Sequence, residues 1–214
     1  MSAGKQNFLD IPRADFSVAQ ADGRRLQFDR EMNALLVWVG QADYYVSSSP
    51  NEIIVTVLGS CIAVCLHDPF TGYGGMNHFV LPEDTGVGGL AGFEMRYGSY
   101  SIERLVNTLV SKGAKRERLE AKVFGGANVL AGKSNVGHRN ADFVEDYLKR
   151  EGLKIKSQHL RGSLARKVRY FPTTGRVQLT ELGRDAALPI VTSESQLSRA
   201  YNLARNLGSV EIFD

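Results

Sequence analysis

The sequence predicts an α+β fold, and two observations support this class. Candidate strands outnumber candidate helices, and strands joined by short turns outnumber strand–helix–strand units. At 214 residues the chain has the length of one domain. Its hydrophobic share of 43% and charged share of 23% are ordinary for a globular protein that buries its own core.

The N-terminal 32 residues mix charges of both signs with scattered apolar residues and show no sustained period. We interpret residues 1–32 as a mobile tail or arm, and residues 33–214 as a single domain that ends in a C-terminal helix. The N-terminus has no apolar core, and the apolar run at 35–39 is far shorter than a membrane span. The sequence therefore predicts neither a secretory signal nor membrane insertion.

Short runs rich in β-branched and aromatic residues, separated by turn-forming residues, predict the strands. They lie at 35–39, 44–46, 53–58, 61–68, 75–81, 119–124, 153–159, 166–171, 176–180 and 187–191. The run at 61–68 alternates strictly, so Cys61, Cys65 and His67 share one face.

Apolar residues repeat every three or four positions over 102–110, which predicts an amphipathic helix. Ser99 or Ser101 can cap its start, and Gly113 suits the left-handed position after its end. Two further helices are predicted at 140–151 and 193–206.

The stretch 53–82 carries the residues for which we predict chemistry. A Gly59-Ser60 turn precedes Cys61, and a glycine-rich turn then returns the chain as a strand that carries His78. A thiol attacks as its thiolate, and its ordinary pKa of about 8.5 leaves little thiolate at neutral pH. An imidazole within reach takes the proton, so Cys61 and His78 are the candidate nucleophile and base. The Gly59-Ser60 turn and the N–H of Cys61 are candidate oxyanion donors.

Other interpretations of these residues stay open. A cysteine on a strand is often a small buried core residue, which is our interpretation of Cys65. His67, at a strand end near the surface, is an alternative base, whereas His138 and His159 are isolated. The glycine pair at 125–126 lets the backbone pass close to something, and both core packing and substrate approach are open.

Several familiar sites are not supported by the spacing. Cys61 and Cys65 lie about 13 Å apart along a strand, too far to share a disulfide or a zinc ion, which suits a reducing cytoplasm. Ser60 does not match the G-x-S-x-G pattern of serine hydrolases. The G-x-G-x-x-A match at 86–91 follows no strand, so a mobile flap is a better interpretation than a dinucleotide site. No metal and no organic cofactor is predicted.

The charge distribution is uneven. A formal net charge of +3 gives no reason to predict a nucleic-acid partner. Residues 149–176, however, contain nine basic residues and one acidic residue. We interpret this segment as a solvated basic face, with docking to an acidic surface as the alternative.

Four segments in series resemble the CheD family of bacterial chemoreceptor glutamine deamidases. They are TVLGSCIAVCL at 56–66, DP at 68–69 with GGMNHFVLP at 74–82, KVFGGAN at 122–128 and NVGHRN at 135–140. The resemblance extends over residues 40–182 and does not include residues 1–32 or the chain after residue 183.

This resemblance implies a cytoplasmic enzyme that hydrolyses glutamine side-chain amides on the signalling domain of chemoreceptors. It assigns Cys61 as the nucleophile of a thioester mechanism, His78 as the base and Thr56 as the third catalytic member. The implied fold is a β-sandwich of mixed sheets flanked by helices, similar to the cysteine deamidase domains of bacterial toxins. No cofactor is implied.

Two other functions remain possible. Members of the family can bind a CheC-type phosphatase that acts on the response regulator, so the chain can be mainly a regulatory partner. A cysteine peptidase or a transglutaminase would use similar residues to cut or cross-link proteins.

Overall fold

A computed structural model describes residues 17–19, 25–81, 91–129 and 135–183, with the backbone alone at 17–19 and 91–96. The strands in this part of the chain form one sheet of six strands and one of five. Both sheets mix parallel and antiparallel pairs.

The six-stranded sheet contains β1 (Ser17–Ala19), β2 (Arg25–Asp29), β3 (Ala34–Trp38), β5 (Glu52–Leu58), β10 (Ala165–Phe171) and β11 (Arg176–Leu182). Their spatial order is β1-β2-β3-β5-β10-β11. Neighbouring strands run antiparallel except β3 and β5, which are parallel.

The five-stranded sheet contains β4 (Asp43–Ser47), β6 (Ile62–Asp68), β7 (Tyr73–His78), β8 (Glu120–Gly125) and β9 (Lys154–Leu160). Their spatial order is β4-β7-β6-β8-β9, and only β8 and β9 pair in parallel.

The sheets pack face to face, and two helices cover the far side of the five-stranded sheet. These helices are α1 (Ala91–Ser111) and α2 (Val136–Arg150), with a short 3-10 helix at Arg116–Arg118 between them. The predicted α+β class, with mixed sheets and flanking helices, is therefore confirmed. The implied similarity to toxin deamidases stays a prediction.

Strand β6 shows how alternation builds these layers. Ile62, Val64 and Leu66 point towards the helices, whereas Cys61 and Cys65 point into the space between the sheets. All five side chains are buried. Burial of an aliphatic side chain of this size contributes about 1.5–3 kcal/mol, so a one-residue slip of β6 would be strongly unfavourable.

Helix α1 is longer than its apolar pattern predicts. It begins at Ala91, so Ser99 and Ser101 lie inside the helix and do not cap it. Ser101 Oγ instead accepts a hydrogen bond of 3.1 Å from Asn77 Nδ2 on β7. Gly113 has the predicted left-handed backbone, with φ +94°. Neither α1 nor α2 is long and apolar enough to cross a membrane.

The expectation of an arm over residues 1–32 needs correction where the structure describes it. Strand β2 is paired along its length with β3, and β1 is paired with β2. Every residue of β2 is partly or fully exposed, so this strand lacks the buried apolar face from which a sequence pattern predicts a strand. Residues 1–16, the glycine-rich stretch 82–90, the predicted strand 187–191 and the predicted helix 193–206 lie outside the described residues. The single catalytic domain over 33–214 stays a prediction.

A buried carboxylate holds the end of the molecule where β6 turns into β7. Asp68 is fully buried and accepts hydrogen bonds from the backbone N–H of Phe70 and Lys115 and from the guanidinium of Arg118, the shortest at 2.6 Å. The hydrogen bond from Arg118, aided by those backbone donors, lowers the pKa of Asp68 to about 2. The ionised carboxylate therefore stabilises the native state.

We expect Asp68→Asn to lower the free energy of unfolding by about 2 kcal/mol near neutral pH. Because the folded pKa lies below the unfolded pKa of about 4, the wild type's advantage is present above about pH 4 and is lost as the pH falls towards 2. Urea unfolding at several pH values measures it. The exposed Asp146→Asn is the control, with an expected change within about 0.5 kcal/mol. A difference between Asp68→Asn and wild type that does not change with pH would contradict the assignment.

Candidate active site

Thr56 and His78 meet across the space between the two sheets. Thr56 lies on β5 and His78 at the end of β7, and Thr56 Oγ1 is 2.8 Å from His78 Nδ1. Thr56 is 1% exposed and His78 is 5% exposed. Polar groups in a largely apolar layer need hydrogen-bond partners, and this pair forms such a contact between the sheets.

The Thr56 hydroxyl determines which nitrogen of His78 carries the proton. Thr56 Oγ1 also lies 2.8 Å from the carbonyl oxygen of Val39, which can only accept. The single hydroxyl hydrogen is therefore donated to Val39, and Nδ1–H of His78 must donate to Thr56. In a neutral ring this leaves the lone pair on Nε2, so Nε2 is the nitrogen able to take a proton.

Cys61 faces the same space. Ile62 and Phe79 exchange backbone hydrogen bonds of 2.8 and 2.9 Å, which sets the register beside the site. That register continues to place His78 opposite Ala63, two positions from Cys61 and on the same face. Such diagonal neighbours lie about 7–8 Å apart, within reach of an imidazole. Thr56, His78 and Cys61 thus all face the space between the two sheets.

The Cys61 sulfur is enclosed. The residue has no exposed surface and packs within the core between the sheets, beside residues such as Leu58 and Ala63. A side chain of another protein can reach the sulfur only after the groups that cover it move.

The turn that carries Cys61 is held through three successive carbonyl groups. The acceptors are the oxygens of Gly59, Ser60 and Cys61, and the donors, in the same order, are Ala127 N–H (2.9 Å), Asn140 Nδ2 (2.8 Å) and Gly126 N–H (2.9 Å). Peptide groups are planar and trans, so each fixed carbonyl also fixes the N–H of the following residue. Oxyanion donors were predicted at Gly59, Ser60 and Cys61, and the N–H directions of Ser60 and Cys61 are set in this way.

The glycine pair at 125–126 lets its backbone lie close to the backbones of Cys61 and Gly137. A β-carbon on Gly125 would lie 2.0 Å from the carbonyl oxygen of Cys61, and its φ is +117°. Gly126 has φ +70° and its β-carbon would lie 2.8 Å from the Gly137 oxygen. Gly125 is therefore packed against Cys61 and Gly126 against Gly137, and a role of the pair in substrate approach stays a prediction.

The other candidate residues lie elsewhere. Cys65 is buried, and burial raises the pKa of its thiol despite nearby Lys122, so it stays protonated at neutral pH. His67 is buried at 8% exposure, not at the surface as predicted, and its Nε2–H donates to the Thr173 carbonyl at 3.2 Å. It lines a separate cavity of about 30 Å³ with Cys65.

Residues 149–176 do not form one solvated basic face. Arg166 is 1% exposed and donates to the carbonyls of His159, Arg161 and Leu164. Arg161 pairs with Asp142 at 2.5 Å and with Glu145 at 2.6 Å. The segment instead includes a buried cation that closes the β9–β10 turn, which the count of charges alone cannot reveal.

Within the described parts of the chain, no group of three or more His, Cys, Asp or Glu side chains is arranged to hold a metal ion. The side chains that the site offers for chemistry are one thiol, one imidazole and one hydroxyl. Their arrangement suits proton transfer and nucleophilic attack.

Comparison with known proteins gives a consistent family relationship. Residues 80–181 match the family model described as CheD chemotactic sensory transduction. A Rhodopseudomonas palustris protein named "Probable chemoreceptor glutamine deamidase CheD" is 48% identical over 195 residues, covering 91% of this chain and 92% of the relative. A protein of the same name from Cupriavidus metallidurans is 44% identical over 202 residues, covering 91% of each chain.

Two solved structures are similar to part of the fold. A Neisseria meningitidis protein of family DUF152 has a TM-score of 0.36 at 11% identity and covers 60% of this chain and 62% of its own. The hypothetical protein YfiH of Bacillus licheniformis has a TM-score of 0.35 at 11% identity and covers 56% and 50%.

We expect Gly125→Ala to lower the free energy of unfolding by at least about 2 kcal/mol more than Gly113→Ala. Both positions have positive φ, but a β-carbon on Gly113 meets nothing within 4 Å, so the control isolates backbone strain from the clash with Cys61. Chemical denaturation measures both variants. Equal losses would mean that the chain relaxes freely around residue 125.

We also expect the neutral ring of His78 to carry its proton on Nδ1, as ¹⁵N NMR of histidine-labelled protein at mildly alkaline pH will show. Thr56→Val removes the acceptor, and the ring should then shift towards the Nε2–H form that free histidine prefers. Thr56→Ser keeps the hydroxyl and should keep the wild-type signal. A wild-type ring protonated on Nε2 would contradict the hydrogen-bond assignment.

Proposed function

This chain belongs to the CheD family, and on that basis we propose that it hydrolyses glutamine side-chain amides in the cytoplasmic signalling domain of chemoreceptors. The product of each event is a glutamate and ammonia. A neutral side chain on the receptor thereby becomes an anion, which changes the electrostatics of the receptor helix. The enzyme is a protein-glutamine glutaminase that acts in the cytoplasm.

The reaction proceeds through a thioester on Cys61. His78 Nε2 takes the thiol proton as the sulfur attacks the amide carbon, and Nε2–H then gives this proton to the amide nitrogen, which leaves as ammonia. Nε2 next takes a proton from water, whose oxygen attacks the thioester carbon. The proton returns to the sulfur as the carboxylic acid leaves, and the acid ionises in solvent. No metal or organic cofactor enters these steps.

Thr56 orients the imidazole in this mechanism. Its hydroxyl accepts from Nδ1–H, which keeps Nε2 unprotonated and directed away from β5. This is the position that a carboxylate holds in many catalytic triads, here occupied by a neutral group. The N–H groups of Ser60 and Cys61 stabilise the oxyanion that forms on the amide oxygen.

The single observation that supports this function best is the Thr56–His78 hydrogen bond, with Cys61 on the same face two positions along the register. In this proposal the orienting group comes from β5, the base from the end of β7 and the nucleophile from the turn that leads into β6. Because the sulfur is enclosed, we further propose that docking of the receptor helix opens the cover over Cys61.

A CheC-type phosphatase remains a proposed second partner. A chain that acted only by docking to such a protein would need no thiol chemistry. The following experiment separates the two roles.

We expect the wild type, mixed with a receptor cytoplasmic fragment, to release ammonia and to add about one dalton per modified glutamine as NH₂ is replaced by OH. Cys61→Ala should reduce the rate by at least about 10³-fold, because the nucleophile is lost. Intact-protein mass spectrometry and an ammonia assay measure both quantities.

Cys65→Ala is the matched control, since it removes a buried thiol of the same strand that lies outside the proposed pair. It should retain activity. Absence of a mass gain with wild type would leave the docking role, whereas fragments or cross-linked species would indicate a peptidase or a transglutaminase.

A further inference from the structure

One side chain connects the Cys61 turn to the segment that follows His78, the last residue of β7. Asn140, in the second turn of α2, has no exposed surface. Its Nδ2 donates to the carbonyl oxygen of Ser60 at 2.8 Å, and its Oδ1 accepts the backbone N–H of Leu81 at 3.1 Å. Ser60 immediately precedes Cys61, and Leu81 is three residues beyond His78.

The chemistry of the two partners fixes how the amide is oriented. A carbonyl can only accept and a backbone N–H can only donate, so Nδ2 must face Ser60 and Oδ1 must face Leu81. A leucine of similar size offers neither function, and an ionised aspartate offers acceptors alone. Asparagine is thus the side chain of this length that satisfies both segments.

The hydrogen bond to Ser60 acts directly on the predicted oxyanion donor. The Ser60 carbonyl and the Cys61 N–H belong to one planar peptide group and point in opposite directions. When Nδ2 fixes the carbonyl, it fixes the N–H. Three described hydrogen bonds hold the carbonyls of this turn. Those to Gly59 and Cys61 come from backbone N–H groups, whereas the one to Ser60 comes from a side chain, that of Asn140.

The hydrogen bond to Leu81 acts on the segment that carries His78, the proposed base. Strand β7 ends at His78, and Phe79 bonds to Ile62. Leu81 N–H then bonds to the same amide that holds Ser60. One rigid group on α2 therefore sets the spacing between the segment carrying the nucleophile and the segment that follows the base.

We propose that Asn140 is a positioning residue for the amide hydrolysis: it aligns the Cys61 N–H with the developing oxyanion and holds the His78 segment in register with the Cys61 turn. This inference rests on the proposed function for its effect on rate. The positioning itself is a property of the folded chain that can be observed without any substrate.

The test compares Asn140→Asp and Asn140→Ala with Asn77→Asp in the full chain. Asn77 is a matched control because it is also a fully buried asparagine that bridges two groups, Val64 N–H and Ser101 Oγ. The Asn77 side chain lies on the face of β7 opposite His78, towards Ser101 of α1. Asn77→Asp therefore reproduces the burial of a carboxyl group without touching the Cys61 turn.

With the receptor fragment as substrate, we expect Asn140→Asp to lower kcat about 10²-fold, similar to the loss of one oxyanion donor, with KM within about threefold of wild type. The ratio of its kcat to that of wild type should rise as the pH falls, because a protonated carboxyl can again donate to Ser60. Asn140→Ala should show a comparable loss with no recovery. Asn77→Asp should keep kcat per folded molecule within about threefold.

A substrate-free measurement separates this inference from the proposed function. The NMR amide shift of Cys61 should move in both Asn140 variants, while hydrogen exchange at Leu81 should speed up only in Asn140→Ala, since aspartate still accepts. These shifts apply even if wild type deamidates nothing, in which case the proposed function fails and the positioning stands. Unchanged amide signals, a kcat within threefold of wild type for Asn140→Ala, or an equal loss in Asn77→Asp would overturn the proposal.

Discussion

The hydrogen bond between Thr56 and His78 is the contact on which the site depends. It joins a central strand of one sheet to a strand of the other through a layer that is mostly aliphatic. A slip of one sheet over the other would leave both groups buried without this partner, at a cost of about 1–3 kcal/mol each. The two sheets therefore have one strongly preferred relative position. The predicted nucleophile is placed with respect to it through the register of β6 and β7.

Two independent supports converge on the site from opposite directions. The imidazole is held from the six-stranded sheet, whereas the turn before Cys61 is held from the end of β8 and the start of α2. Glycine makes the second support possible. Any side chain at position 125 would occupy the space of the Cys61 carbonyl, and one at 137 would lie 2.5 Å from the Ala127 oxygen. The close approach of these backbones is what lets their N–H groups reach the turn.

Much of the fold and of the candidate site could be predicted from residue patterns, and the features that could not be predicted have physical causes. The alternation around Cys61 predicted its face correctly because apolar burial dominates in a central strand. The start of α1 was missed because the apolar period begins only near Ile102. The burial of Arg166 depends on how the β9–β10 turn directs its own carbonyls at the guanidinium, which a count of charges does not show. The bridging role of Asn140 depends on backbone groups of two distant segments, the Ser60 carbonyl and the Leu81 N–H. No local pattern encodes those partners, although Asn140 does end the NVGHRN motif.

Thr56 carries no charge, and this affects how readily Cys61 ionises when no substrate is bound. A carboxylate in its place would favour an imidazolium and hence a thiolate beside it, even with nothing bound. The sulfur is enclosed, so a thiolate in this position would lose its hydration, and burial of this kind favours the uncharged thiol. Peroxides and electrophiles attack thiolates far faster than thiols. A copy waiting between targets is therefore expected to survive oxidative stress that would inactivate an enzyme with a permanently ionised cysteine.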